Sequence, residues 1–177
     1  MKKSFPSIAL IGYMGSGKSS VGQHLAQLLS LEWVDLDREV EKLWGGSIAE
    51  LVERYGEVRF RKMEAETLLK IVIRDSIVLS TGGGTPCYGV NLSLLLQNTR
   101  VVYLQWSVSS LVRHVQQEKA HRPLLSDVPE ERLSDFIGPH LLERNAFYQK
   151  AHVTEVCREG DTPEAIALRI AQKIREY

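Results

Sequence analysis

The feature that most restricts this chain is a short apolar run that opens onto a glycine-rich loop. Ser7-Ile8-Ala9-Leu10-Ile11 leads straight into Gly12-Tyr13-Met14-Gly15-Ser16-Gly17-Lys18-Ser19, and an amphipathic stretch, Ser19–Leu29, follows. The segment fits G-x-x-x-x-G-K-[ST] in its required setting of strand, loop and helix. Glycines let successive backbone N–H groups curl around a phosphate, and the start of the helix adds the positive end of its dipole. In that geometry Lys18 reaches the outer phosphates of a nucleotide and the Ser19 hydroxyl ligates Mg²⁺. A glycine-rich turn with an exposed lysine is the bland alternative.

Such a loop belongs at the C-terminal end of a buried parallel strand, and the rest of the chain supplies the sheet. Strand-like runs at Glu32–Val34, Ile77–Ser80, Val101–Leu104 and Val153–Cys157 alternate with helical patterns. The helical patterns are Arg38–Leu43, Ile48–Tyr55, Val58–Arg74, Val90–Gln97, Val108–Gln117, Glu130–Tyr148 and Pro163–Arg175. Nearly continuous apolar strands separated by helices predict an α/β fold, a parallel sheet covered on both faces. Thr162-Pro163-Glu164 reads as N-cap, first-turn proline and early acid of the last helix. At 177 residues and 44% hydrophobic the chain suits one domain with one sizeable core. Ligands on such sheets sit beyond the C-terminal strand ends, which is where the polar motifs fall.

Asp35-Leu36-Asp37 follows the second run. On an extended segment the two carboxylates point to one side, one able to hold a metal's water and the other to accept a hydroxyl proton; a solvated loop pair is equally compatible. Phe60-Arg61-Lys62-Met63-Glu64 puts Arg61 and Glu64 at i, i+3 on a helix, either a braced anion-binding fork or an ordinary surface ion pair. Thr81-Gly82-Gly83-Gly84 ends the third run and permits close backbone approach to a ligand, or else makes a surface turn. Arg122, after the polar stretch Gln116–His121 that reads as a mobile loop, is either a phosphate-binding lid residue or a solvated base. Arg144 is a second candidate anion clamp that, alone, would pass as a helix-surface arginine.

Other classes lose ground. No N-K-x-D is present to read guanine, and neither Ile77–Ser80 nor Val101–Leu104 ends in a magnesium-binding aspartate, which weakens the switch and motor readings. Lys plus Arg equals Asp plus Glu, 22 of each, so no general attraction to nucleic acid or anionic membrane exists. No apolar run approaches a membrane span, and the N-terminus lacks a signal-peptide pattern. Cys87 and Cys157 are far apart without ligand spacing, so buried thiols in a reducing cytoplasm are expected. The five histidines show no metal-binding pattern and are read as structural or solvated.

Taken in order, G-x-M-G-x-G-K-S, D-x-D, F-R-x-x-E, T-G-G-G, R-P-L-L and R-N-x-x-Y-x-x-x-A resemble the shikimate kinase family from Ile8 to about Cys157. The resemblance implies a nucleoside-monophosphate-kinase-like P-loop fold with a five-stranded parallel sheet in the order 2-3-1-4-5. A monomer of one domain, 1–177, would carry a substrate-binding helical segment at about 38–74 and a mobile lid at about 116–128. The implied reaction is MgATP-dependent phosphorylation of the 3-hydroxyl of shikimate in chorismate and aromatic amino-acid biosynthesis. Gly15, Ser16, Gly17, Lys18, Ser19 and Ser20 would hold ATP phosphates, with Mg²⁺ at Ser19 and Asp35 in its water shell. Asp37 would hold shikimate hydroxyls and serve as base. Arg61 and Arg144 would clamp the carboxylate, Gly82, Gly83 and Gly84 would contact the substrate, and Arg122 would be the lid arginine. Arg113 and Arg158 are the candidates for the adenine side. The chain departs from the family at Ala146, where a proline is usual, at His152, where an aspartate is frequent, and in a longer Arg113–Arg122 stretch. Gluconate and nucleotide kinases of the same fold share the loop but should lack F-R-x-x-E together with T-G-G-G. A nucleotide-binding regulatory module would have no use for two carboxylate-clamping arginines.

Overall fold

Four consecutive buried residues form the first strand, β1 (Ile8–Ile11), and their uniform burial places it at the centre of the sheet. The computed structural model describes residues 7–118 and 128–175. After β1 come α1 (Lys18–Leu29), β2 (Glu32–Asp35), α2 (Leu36–Trp44), α3 (Ile48–Tyr55), α4 (Glu57–Val72) and β3 (Ile77–Ser80). A 3₁₀ turn (Thr85–Cys87), α5 (Asn91–Asn98), β4 (Arg100–Gln105) and α6 (Val108–Glu118) follow. A second 3₁₀ turn (Glu130–Arg132), α7 (Leu133–Tyr148), β5 (Val153–Val156) and α8 (Pro163–Arg175) complete the described residues. The strands pair in parallel in the order β2-β3-β1-β4-β5. α6 runs to Glu118, one residue beyond the helical pattern Val108–Gln117, so the stretch expected to be loop from Gln116 starts as helix.

Burial explains the strand compositions. β1 and β3 lie inside the sheet and are buried throughout, so β1 reads as an unbroken apolar run and β3 as one closed by a buried serine, Ser80. β5 is an edge strand and alternates, with Val153 and Glu155 buried and Thr154 and Val156 exposed. The inward Glu155 is 1% exposed and is paired with Arg169 and Lys173 of α8. A buried, paired charge on an edge strand discourages pairing with another chain. His152 is structural, as expected of the histidines: the Val101 N–H donates to its Nδ1 across 3.0 Å, tying the start of β4 to the start of β5.

The helices start and stop where local chemistry dictates. Ser47 and Glu50 make both bonds of a capping box at α3, and Thr162 Oγ1 accepts from the Ala165 N–H at α8. Gly22 lets α1 lie almost on the sheet, since a Cβ there would stand 2.5 Å from Ser80 Oγ and 2.8 Å from Trp33 Nε1. That close approach seats the N-terminus of α1 above the strand ends. The chain leaves β1 for β2 and β3 on one side and later reaches β4 on the other, so the crevice of the sheet opens directly at the glycine-rich loop.

Candidate functional site

The loop between β1 and α1 is held from behind. Gly15 and Gly17 have φ of 76° and 79°, a left-handed conformation that costs a side-chain-bearing residue energy, and Gly17 caps α1. Trp106, just past β4, donates its indole N–H to the Ser16 carbonyl across 3.0 Å. His114 of α6 packs edge-to-face on Trp106 and places Nδ1 3.0 Å from the Gly15 carbonyl, so Nδ1 carries the proton. Lys18 is 8% exposed and donates to the Gly12 and Tyr13 carbonyls, each at 2.9 Å. With these carbonyls engaged, the first-turn N–H groups of α1 remain for an anion, as helix starts leave them without intrahelical partners.

The paired carboxylates come together by a different route from the extended segment expected. Asp35 ends β2 and caps α2, its Oδ1 accepting from the backbone N–H groups of Asp37 and Arg38. Asp37 is already in the first turn of α2, while Leu36 between them is fully buried. A cap, not a pleat, thus aims both carboxylates at the crevice. Ser19 Oγ donates to Asp35 Oδ2 at 2.7 Å. Burial raises the Asp37 carboxyl to about 6, helped by the charges of Asp35 and Glu64 and opposed by Lys18. Met14, the loop, Asp35, Asp37 and Thr81–Gly83 line one open cleft with about 610 Å³ of empty volume.

The far end of the crevice gathers the two arginines. Glu64 is only 1% exposed, so its bonds of 3.1 and 3.3 Å with Arg61 Nη1 are not a surface ion pair. Thr85 Oγ1 donates to the same carboxylate at 2.8 Å. The consecutive glycines explain how residues so distant in sequence meet. A Cβ on Gly84 would lie 2.8 Å from Arg61 Nη2, and one on Gly83 would lie 3.6 Å from Arg144 Nη1 and 3.0 Å from the Met14 backbone nitrogen. Arg144 is 9% exposed inside α7 and stands 5.7 Å from the Tyr13 ring centroid. Tyr148 donates to the Gly83 carbonyl at 2.6 Å, fixing the glycine segment against α7. Ala146 sits within α7, which carries Pro139 in its interior and continues past Ala146 to Tyr148, so the helix holds Arg144 without the proline usual at 146.

On the other side of the glycine-rich loop lies a second cleft, with about 560 Å³ of empty volume, walled by Val21, Trp106, His114, Gln117, Asp161, Pro163 and Ile166. Asp161 is gripped by Arg169 at 3.1 and 2.6 Å, which fixes the turn between β5 and α8. Neither adenine-side candidate forms this wall. Arg113 pairs with Glu159 at 2.6 Å between two exposed side chains, and Arg158 presents its backbone N–H to Asp161. Sequence reading missed Trp106 and His114 here, and only the position of Trp106 directly after a strand hinted at it. Arg122 and most of the expected lid, 119–127, lie outside the described residues.

The donor set suits magnesium rather than a caged transition metal. Among the described residues no cluster of three His, Cys, Asp or Glu side chains exists. Ser19 and Asp35 offer two hard oxygens beside the phosphate-binding loop, which fits an ion that keeps waters and takes its other ligands from phosphates.

A family model described as shikimate kinase matches residues 14–175. A shikimate kinase of Flavobacterium johnsoniae is 40% identical over 147 residues, covering 81% of this chain and 85% of that protein. One from Acinetobacter baumannii is 38% identical over 174 residues, covering 97% of this chain and 91% of that protein. Among solved structures, shikimate kinase from Bacteroides thetaiotaomicron superposes with a TM-score of 0.90 at 31% identity, covering 97% of this chain and 99% of that one. The Acinetobacter baumannii enzyme in complex with shikimate gives 0.86 at 37% identity, covering 97% and 94%.

Proposed function

Since the chain belongs to the shikimate kinase family, and is thereby an ATP-dependent phosphotransferase acting on shikimate, we propose the following division of labour among its residues. Gly15, Ser16, Gly17, Lys18, Ser19 and Ser20 receive the phosphates of ATP through backbone N–H groups and the Lys18 ammonium. Ser19 and Asp35 hold Mg²⁺, Asp35 through its water shell. When bound, the ion draws negative charge off the transferring phosphoryl group.

Arg61 and Arg144 grip the carboxylate of shikimate at the far end, with Gly82, Gly83 and Gly84 beneath the ring. Asp37, between the two ends, accepts hydrogen bonds from the hydroxyls and takes the proton of the 3-hydroxyl. That oxygen forms its bond to the γ-phosphorus as the bond from phosphorus to the β,γ-bridging oxygen breaks, leaving ADP and shikimate 3-phosphate. Because phosphoryl transfer passes through a loose transition state, positioning and charge outweigh base strength. Arg122, the lid arginine of the sequence resemblance, completes the charge on the phosphates.

The observation that carries this assignment is the span of one crevice. It runs from the phosphate-binding loop past Asp37, whose carboxyl burial raises to about 6, to Gly83, and the two guanidinium groups stand against Gly83 and its neighbour Gly84. The chain acts in this reading as a monomer formed by a single domain, 1–177, with substrate contacts from about 38–74. No helix among the described residues is long and apolar enough to cross a membrane. Both cysteines are free, which supports a reducing, cytoplasmic setting; the balance of 22 basic and 22 acidic residues supports the reading without nucleic-acid or membrane partners. A coupled assay of ADP release tests the reading, with shikimate giving turnover and gluconate and nucleoside monophosphates giving none. Turnover with gluconate and none with shikimate would overturn it.

A further inference from the structure

From the contacts around Arg61 we infer that Tyr88 is a positioning residue for the substrate carboxylate, setting the plane of the guanidinium and keeping one of its N–H edges available. The inference rests on the proposed role of Arg61. Tyr88 directly follows the 3₁₀ turn that ends the triple-glycine segment, and at 36% exposure it is not a core residue. Its ring centroid lies 4.2 Å from Arg61 Cζ, the stacking distance of a cation on an aromatic face. On other sides the same guanidinium meets Gly84 and the buried Glu64.

Two details give the stack a purpose. Arg61 Nε is buried without a hydrogen-bond partner, so no bond at that end fixes the plane of the group. A two-point grip on a carboxylate depends on that plane, and the face of Tyr88, the nearer of the two aromatic rings beside the group, constrains it together with the Glu64 bonds to Nη1. The Tyr88 hydroxyl, meanwhile, donates to Glu57 Oε1 at 2.9 Å. Glu57 Oε1 stands 3.5 Å from Arg61 Nη2, beyond an ordinary N–H···O bond. Tyr88 therefore engages an oxygen of the one carboxylate, among the described residues, that pairs with Nη2, while Glu64 takes Nη1. That 3.5 Å pair with Glu57 is long, and an incoming substrate carboxylate can displace it at the Nη2 edge.

The experiment compares Tyr88→Leu, Tyr88→Phe, Tyr88→Trp and Arg61→Ala in the full chain, with shikimate as substrate and its neutral methyl ester as competing ligand. Leucine keeps bulk but has no π face, so the KM for shikimate should rise about three- to thirty-fold, the range of a cation–π contact. kcat, the KM for ATP and the affinity for the ester should stay at wild-type values. Phenylalanine and tryptophan should restore the KM to within about three-fold, since only the weak competition from Glu57 returns. Should the leucine variant fold poorly, Tyr88→Met, which also lacks a π face, takes its place with the same rise in the shikimate KM expected. An unchanged shikimate KM in Tyr88→Leu while Arg61→Ala raises it would overturn the role of Tyr88 alone. Equal losses for shikimate and ester, or failure of both aromatic variants to rescue, would also overturn it, leaving Tyr88 as packing. If Arg61→Ala affects shikimate and ester alike, the clamp itself is wrong and the inference falls with it.

Discussion

Ser19 Oγ donates a 2.7 Å hydrogen bond to Asp35 Oδ2, and this bond joins the first turn of α1 to the end of β2 across the intervening strand β3. Asp35 is at once a helix cap, through Oδ1, and half of the oxygen pair suited to magnesium, through Oδ2. The two duties are separable by substitution.

Asp35→Asn keeps a cap-competent oxygen but loses the charge. It should retain a Tm close to wild type while needing at least about ten-fold more Mg²⁺ for half-maximal turnover, on the scale of a lost metal-sphere partner. Asp35→Ala should show the same magnesium defect and also lose about 1 kcal/mol of stability from the cap. Magnesium titrations of turnover alongside thermal melts check both, and an unchanged magnesium requirement in Asp35→Asn would remove Asp35 from the metal site.

Asp37 should give the reaction its acid limb. With its carboxyl raised to about 6 by burial, it is protonated and unable to accept a proton at lower pH. kcat/KM for shikimate should therefore climb with pH and level off above about 6, and Asp37→Asn should flatten that limb while lowering kcat. The same shift has a stability cost of the opposite sense. A carboxyl whose folded value exceeds its unfolded 3.8 favours folding below 3.8 and loses that contribution as pH rises through about 6. Above that pH the buried charge costs up to about 3 kcal/mol, so Asp37→Asn should melt higher than wild type at pH 8 and match it near pH 3.5. A variant no more stable at pH 8 would contradict the burial of the charge.

Lys18→Ala should reduce kcat at least about a hundred-fold, the scale of a lost charge-stabilising donor. The melting temperature should change little. The substitution removes bonds to the Gly12 and Tyr13 carbonyls, but it also relieves the burial of an ammonium. Lys18→Arg should not rescue, because a planar fork cannot reproduce a compact point charge inside the loop. Near-normal turnover by Lys18→Ala would exclude it from the phosphate site.

Arg144→Ala should weaken shikimate binding about ten- to a hundred-fold by loss of a charge-assisted bond. Lysine at 144 should rescue only in part. The neutral ester should bind wild type poorly and lose little more in the variant, the non-additivity expected of direct contact. Equal losses for shikimate and ester would make Arg144 structural.

Gly84→Ala places a Cβ against the Arg61 guanidinium, 2.8 Å from Nη2, so the side chain must move. The KM for shikimate should rise with the KM for ATP unchanged, since Gly84 is not among the residues lining the cleft at the phosphate loop. A raised KM for both substrates would place the disturbance elsewhere.

Much of this enzyme is determined by its sequence alone, because local chemistry dictates it. The run Ser7–Ile11 must be buried on both faces, the glycines after it must turn left-handed, and Thr162-Pro163-Glu164 must start a helix; no distant partner is needed for any of these. The Lys18 and Ser19 assignments rest on the same local logic, which is why motif spacing was enough to suggest them. Tertiary structure alone decided what depends on a second segment. Arg61 and Glu64 look like a surface pair until the third strand brings Thr85 and Gly84 onto them and buries Glu64. Asp35 and Asp37 converge through a helix cap that no period-two pattern contains. Trp106, His114 and Tyr88 carry no motif, because their partners are a loop carbonyl, a distant glycine turn and the guanidinium of Arg61. Periodicity reports which face of an element is buried; it does not report what the fold presses against that face.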